Sequence, residues 1–148
     1  MNKKGFTLIE LLGVIVIMAA LLAIAVPAVL SISQRMKKNM YCTKLEVLEN
    51  DARIYGEDNK GDLEDVGSGN WTNVSKNLST KSYIEAKTLL DQGYIKSDDV
   101  EVVNGVIVDP RDSEANLNEY KIKVYIKYNR VYSKILDEYG EEITDCKK

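Results

Sequence analysis

An unbroken run of apolar or small residues, from Leu11 to Leu30, constrains this chain more than any other part of its sequence. A helix of about 20 residues is about 30 Å long, which matches the hydrocarbon thickness of a bilayer. The run therefore predicts a membrane-spanning helix. A secretory signal peptide, cleaved at Ala23-Ile24-Ala25, and an ordinary single-pass anchor are the alternatives. The run is longer than the usual apolar region of a signal peptide, which has about 7–15 residues.

One carboxylate, that of Glu10, lies at the edge of this run, where a membrane helix normally avoids charge. A carboxylate costs about 2.5–3.5 kcal/mol at mid-depth in a bilayer, and less near the interface. The run contains no Lys or Arg that can pair with it. If the chain is cut after Gly5, Phe6 gains a positive α-amine about 6 Å from Glu10 along a helix. That amine can pair with Glu10 of the same chain or of a neighbouring chain.

The residues around Glu10 resemble the N-terminus of type IV pilins and pseudopilins; they read Lys3-Lys4-Gly5-Phe6-Thr7-Leu8-Ile9-Glu10-Leu11-Leu12. The resemblance implies that a prepilin peptidase cleaves after Gly5 at the cytoplasmic face and N-methylates Phe6. It implies that Glu10 pairs with the Phe6 amine of a neighbouring subunit during filament assembly. It also implies a cytoplasmic N-terminus, an orientation that the positive residues flanking the run leave open. The short leader and the Phe after the cut look like the type IVa branch.

The predicted helix continues well beyond the apolar run. Pro27 removes one backbone hydrogen bond and predicts a kink; by resemblance, it marks a place where the helix curves or melts in the filament. Nothing between Leu30 and Tyr55 breaks the helix, and Gly56 is its predicted stop.

Two apolar stripes run along the second half of this helix. One repeats at alternating spacings of four and three residues: Tyr41, Leu45, Leu48, Ala52 and Tyr55. The other is displaced around the helix: Met36, Met40, Val47 and Ile54. We expect the first stripe to pack on a globular domain and the second on neighbouring helices. A single wide core face is the alternative.

A polar connector, residues 57–81, follows the helix, and we expect Trp71 to pin it to the core. Its acidic residues do not have the spacing of an EF-hand loop, so they predict no calcium site. A short helix is then predicted over Ser82–Ile95, ending near Gly93. Two strands flanking Asn104-Gly105 predict a hairpin.

Strict alternation predicts a strand over residues 120–128, with a partner strand over Val131–Leu136 after a turn at Asn129-Arg130. The side chains of the buried face are predicted to be Tyr120, Ile122, Val124, Ile126 and Tyr128. The opposite face, with Lys121, Lys123, Tyr125 and Lys127, is predicted to be wet and basic. Binding of DNA or another anionic surface is the functional alternative to simple solvation of this face. The expected fold is α+β and pilin-like: a long N-terminal helix, its first half transmembrane, packed on an antiparallel sheet of about three to five strands.

The two cysteines, Cys42 on the helix and Cys146 in the C-terminal tail, are predicted to form a disulfide in an exported domain. Such a bond would close a loop of roughly 100 residues and stabilise the fold by up to about 4–5 kcal/mol in the chain-entropy model.

Composition argues against catalysis. The absence of histidine removes histidine bases and Ser-His-Asp triads, and two distant cysteines are too few for a zinc or iron–sulfur centre. The net charge of −3 gives no general basic excess for nucleic acid. We therefore predict no enzymatic activity, no cofactor and no metal.

The predicted organisation is a cleaved leader (1–5), a membrane and assembly half of the helix (6–31), an amphipathic half (32–56) and a head (57–148). The resemblance implies the structural subunit of a type IV pilus-like filament for adhesion, motility or DNA uptake. It implies the cytoplasmic membrane before assembly and the cell surface after it. The implied partners are a prepilin peptidase, an assembly platform, minor pilins and a surface or DNA ligand. A pseudopilin of a type II secretion or competence machine, and a membrane-anchored extracytoplasmic binding module, are the alternatives.

Overall fold

The computed structural model describes residues 7–67, 82–96, 100–112, 114–137 and 139–146. Trp71 and the predicted cleavage site at Gly5 and Phe6 lie outside these residues. The chain forms two compact units, Met1–Lys37 and Lys38–Lys148. In chain order the elements are α1 (Leu8–Asp58), a 3-10 turn (Lys60–Asp62), β1 (Tyr83–Glu85), α2 (Ala86–Asp91), β2 (Val102–Val103), β3 (Val106–Ile107), β4 (Lys121–Lys127) and β5 (Arg130–Ile135).

The first unit consists of the N-terminal part of α1. Its length and apolar composition are sufficient to cross a membrane, and none of the residues in its most apolar stretch is buried. The helix runs on through Pro27, because the missing N–H of a proline removes only one of the many hydrogen bonds along its length. The kink at Pro27 stays a prediction.

In the second unit, the two predicted stripes of α1 lie in different surroundings. The first stripe packs into the core, where Tyr41, Leu45, Leu48 and Ala52 are buried and Tyr55 is partly buried. From the second stripe, Met40 and Ile54 remain 50% and 47% exposed. Val47 of the same stripe packs partly against the core, so the division of the two stripes between two partners stays a prediction.

Helix α1 ends at Asp58 rather than at the predicted stop, Gly56. Gly56 is buried inside the helix, and a Cβ placed there would lie 2.5 Å from Val124 Cγ1 and 2.6 Å from Val131 Cγ1. This glycine is present because the helix and the sheet approach each other too closely for a side chain.

Strands β1, β4 and β5 form an antiparallel sheet in the order β1-β4-β5, and β2 and β3 form a separate hairpin. This arrangement of a long helix with a small antiparallel sheet confirms the predicted α+β, pilin-like fold. The predicted helix over Ser82–Ile95 is wrong at its start, because Tyr83–Glu85 pair with β4 as β1. Helix α2 covers only Ala86–Asp91. Pairing with a distant strand has overridden the local helical pattern.

The central strand β4 is buried on both faces, which corrects the predicted wet, basic face. Ile122, Val124 and Ile126 are buried as expected, but Lys123 is only 6% exposed and Tyr125 only 4%. Lys123 lies opposite Tyr83, with its Nζ 5.7 Å from the centre of that ring, and Tyr125 stacks on Tyr132. Burial lowers the pKa of the Lys123 amine, although the charge of Glu142 opposes this shift.

The turn after β4 also differs from its prediction. It is formed by Tyr128 and Asn129, one position before the predicted Asn129-Arg130. Tyr128 was expected on the buried face and is instead 64% exposed, because a turn residue no longer follows the alternation of the strand.

Candidate functional site

Glu10 is held at the start of α1 by Thr7. The Thr7 backbone N–H donates to Glu10 Oε2 at 2.9 Å, and the Thr7 hydroxyl donates to the same oxygen at 2.7 Å. In return, the Glu10 backbone N–H donates to Thr7 Oγ1 at 3.4 Å. This reciprocal pair is a capping box, in which two helix-terminal N–H groups find partners. The carboxylate is thereby fixed at the N-terminal end of the helix, where the helix dipole favours negative charge.

Sequence reasoning missed this cap, although the signal was present. Thr7-Leu8-Ile9-Glu10 has the T-x-x-E pattern of a capping box, followed directly by an apolar run. The Phe6 amine that Glu10 is predicted to pair with lies outside the described residues. Among those residues, the side-chain hydrogen bonds of Glu10 all use Oε2. Cleavage after Gly5, methylation of Phe6 and the Glu10–Phe6 pair therefore stay predictions.

The apolar surface of α1 beyond Glu10 is open over many turns. The large apolar side chains from Leu8 to Ile32 are between half and four-fifths exposed in the isolated chain. A continuous apolar surface of this extent marks contact with lipid or with other protein chains. Both the membrane helix and a helix-driven assembly are consistent with it.

The structure confirms the predicted disulfide. Cys42 and Cys146 form a disulfide with their Cα atoms 5.3 Å apart, which attaches the C-terminal tail to α1 within the second unit. An open cleft of about 690 Å³ lies beside the bond, lined by α1, β5 and the tail. Both acidic and basic side chains line it, and within the described ranges no cluster of Asp, Glu or Cys is suited to a metal ion.

Two cations attach the loop after β3 to α1. The Arg111 guanidinium lies 3.4 Å from the centre of the Tyr41 ring and bonds both carboxylate oxygens of Asp109, which is 3% exposed. Lys44, also buried, donates to the Val108 carbonyl at 2.8 Å. Burial alone would raise the pKa of Asp109, but hydrogen bonds from Arg111 outweigh it and hold that pKa below its ordinary value.

A third polar contact joins α1 to the outer edge of the sheet. Glu49 accepts the backbone N–H of Ile135 at 2.8 Å, and Ser133 donates its hydroxyl to the Glu49 carbonyl at 2.6 Å. The contact satisfies part of the exposed edge of β5, which otherwise offers unpaired backbone groups. Only the Asp109–Arg111 pair joins residues close in sequence; the contacts of Lys44 with Val108, of Arg111 with Tyr41 and of Glu49 with β5 had no local signal, because each joins residues far apart in the chain.

The fold and the site together define a class: a membrane-helix protein with an α+β head and a capped carboxylate where its apolar helix begins. Residues 1–26 match the family model of the prokaryotic N-terminal methylation motif. The chain is 35% identical, over 125 residues, to a fimbrial protein of Neisseria meningitidis serogroup B. That alignment covers 82% of this chain and 62% of the relative, so the chain spans about three-fifths of the relative's length. No solved structure matches the chain.

The motif and the relative support the resemblance found in residues 3–12, which is that of a type IV pilin. The disulfide and the long apolar helix agree with the other features predicted for it.

Proposed function

We propose that this protein is the polymerising subunit of a type IV pilus-like filament. The observation that carries the proposal is the long exposed apolar helix with Glu10 fixed at its start. Before assembly, this helix holds the chain in the cytoplasmic membrane, with the head on the outer side. After assembly, the heads form the surface of an extracellular filament.

Assembly begins with removal of residues 1–5. A prepilin peptidase cuts after Gly5 and methylates the new N-terminus at Phe6, whose amine pairs with Glu10 of a neighbouring subunit. Thr7 supports this role, because its hydrogen bonds keep the carboxylate beside the helix terminus instead of letting it extend into solvent. In a lipid environment an unpaired carboxylate is costly, and this cost favours the pairing.

Further along α1, contacts between subunits extend beyond the membrane segment. Met40 and Ile54 are about half exposed and offer apolar contacts to neighbouring helices, whereas Val47 between them packs partly against the core of the head. An assembly platform and minor pilins are the remaining partners of the filament, which serves adhesion, motility or DNA uptake.

The experiment that tests this function has two parts. Mass analysis of the membrane-bound protein should find a chain that begins with methylated Phe6, and Gly5→Arg should leave the precursor in the membrane. Electron microscopy of sheared surface material should show filaments that bind antibodies raised against residues 57–148. An intact Met1, or a start at Val26, contradicts the proposal. A processed protein without surface filaments points instead to a pseudopilin of a secretion or competence machine.

A further inference from the structure

The turn between β4 and β5 has an unusual occupant. Tyr128 and Asn129 both have positive φ, 49° and 59°, so the two strands are joined by a two-residue turn of type I′. Such turns favour Asn-Gly or Asp-Gly, because a side chain is strained in this region of backbone space. Asn tolerates the conformation, but a bulky aromatic residue is an outlier there.

The Tyr128 side chain makes little packing contact that could offset this strain. The Tyr128 ring is 64% exposed, with Lys127 Nζ 5.4 Å from its centre. Lys127 lies directly opposite Arg130 in the register of the hairpin, and like charges in this position destabilise a sheet. Strain and like-charge pairing at one exposed tip are typical of a site retained for binding rather than for stability.

We propose that this hairpin tip, Lys127–Arg130, binds single-stranded nucleic acid. An unpaired base stacks on the exposed Tyr128 ring, and Lys127 and Arg130 bind phosphates on either side of it. Bases stack on aromatic side chains whatever their sequence, and cations beside the ring follow the backbone. A duplex does not fit this tip, because its bases are already stacked on one another and hide the faces that the ring would contact.

Charge sets the strength of the site. A backbone bridge between Asp65 and Ile126 places an acidic residue near the tip, and the whole chain carries a net charge of −3. Both negative charges oppose the binding of phosphate. One tip therefore binds weakly and with strong dependence on salt. The site lies within the head of a single chain, so it does not require the filament of the proposed function, although a filament would repeat it many times.

The test uses the full-length protein in detergent micelles and a fluorescent oligothymidine of about 12 nucleotides, within the range of known single-strand sites. Fluorescence anisotropy at low salt should show binding to the wild type. Tyr128→Asn should weaken binding about fivefold or more, since the stacking partner is lost. The same variant should melt at a higher temperature, because Asn relieves the strain of the turn. Arg130→Gln should lower the slope of log affinity against log salt by about 0.7, the value for one phosphate contact.

Two matched variants serve as controls. Arg53→Gln removes an exposed cation that bonds Asn50 on α1, and Tyr139→Asn removes a strongly exposed tyrosine outside the hairpin. Both should bind the oligonucleotide like the wild type. The proposal is overturned by unchanged binding in Tyr128→Asn, by a lower melting temperature in that variant, or by equal affinity for a duplex of the same length. It is also overturned if polygalacturonate binds and the oligonucleotide does not, which would assign the tip to anionic polysaccharides.

Discussion

Gly56 shows how one absent methyl group can fix the distance between a helix and a sheet. Alanine is favoured over glycine in a helix interior by about 1 kcal/mol, which by itself would stabilise α1. Two valine methyl groups, each within 2.6 Å of where an alanine Cβ would lie, oppose this gain, because overpacking a core costs about 1–3 kcal/mol. The steric cost is the larger effect here, since both contacts are closer than real Cβ atoms approach.

We therefore expect Gly56→Ala to lower the free energy of unfolding by about 1–2 kcal/mol. Gly61→Ala is the matched control, because nothing lies within 4 Å of a Cβ at Gly61. Thermal and denaturant unfolding of the full-length protein in detergent measure both changes. An increase in stability on Gly56→Ala would show that the valines move aside at little cost.

At Glu10, a single substitution can separate the helix cap from the negative charge. Glutamine at this position preserves the T-x-x-Q form of the capping box but cannot pair with an amine as an ion. We expect Glu10→Gln to be processed normally and to lose filament assembly, which is measured by N-terminal mass analysis and by yield of sheared filaments. Thr7→Val gives the converse change, since it removes the side-chain cap and keeps the charge. Normal filament yield from Glu10→Gln would refute the charge-pair mechanism.

Among the elements, β4 shows what periodicity can and cannot predict. Alternation correctly placed Ile122, Val124 and Ile126 on the buried face, because the period of a strand fixes which side chains share a face. It did not reveal what covers the other face. Lys123 is buried because Tyr83 lies opposite it, from a segment that was itself predicted as helix. The pairing of Tyr83–Glu85 with β4 therefore accounts for both wrong predictions, the helix that begins at Ser82 and the exposed face of β4.

The loop after β3 adds a pH-dependent contribution to stability. Arg111 holds the pKa of Asp109 below its ordinary value, so the ion pair stabilises the fold above about pH 4, the carboxyl's unfolded pKa. This contribution is lost as the pH falls through the lower, folded pKa. We expect the melting temperature of the wild type to drop more steeply below pH 4 than that of Asp109→Asn. Parallel curves for the two proteins would show that the pair contributes no pH dependence.

For the whole molecule, local patterns predicted more than long-range contacts. The apolar run and residues 3–12 identified the membrane helix and the family resemblance, because both signals are contiguous in sequence. The pairing of Cys42 with Cys146 was predicted from export and from the number of cysteines. The contacts of Lys44 and Glu49 with the head, and of Arg111 with Tyr41 on α1, could not be predicted, since they depend on which distant segments meet.

The disulfide acts on the whole second unit, because it joins residues 104 positions apart. We expect the double variant Cys42→Ser/Cys146→Ser to lose up to about 4–5 kcal/mol of unfolding free energy, the chain-entropy value for a loop of this size. Unfolding of the wild type with and without reductant provides an independent measurement of the same change. If the variant and the reduced wild type both melt like the oxidised protein, the bond does not constrain the unfolded chain.

The same bond turns residues 42–146 into a closed covalent ring, and the chain on its N-terminal side continues as the rest of α1. A protease that cuts the backbone once within the ring opens it but releases no fragment. Both new ends stay attached to the N-terminal helix, one through the chain and the other through sulfur. In the extracellular filament proposed above, a head can therefore be nicked once and still remain attached to its N-terminal helix until a reductant or a second cut reaches it.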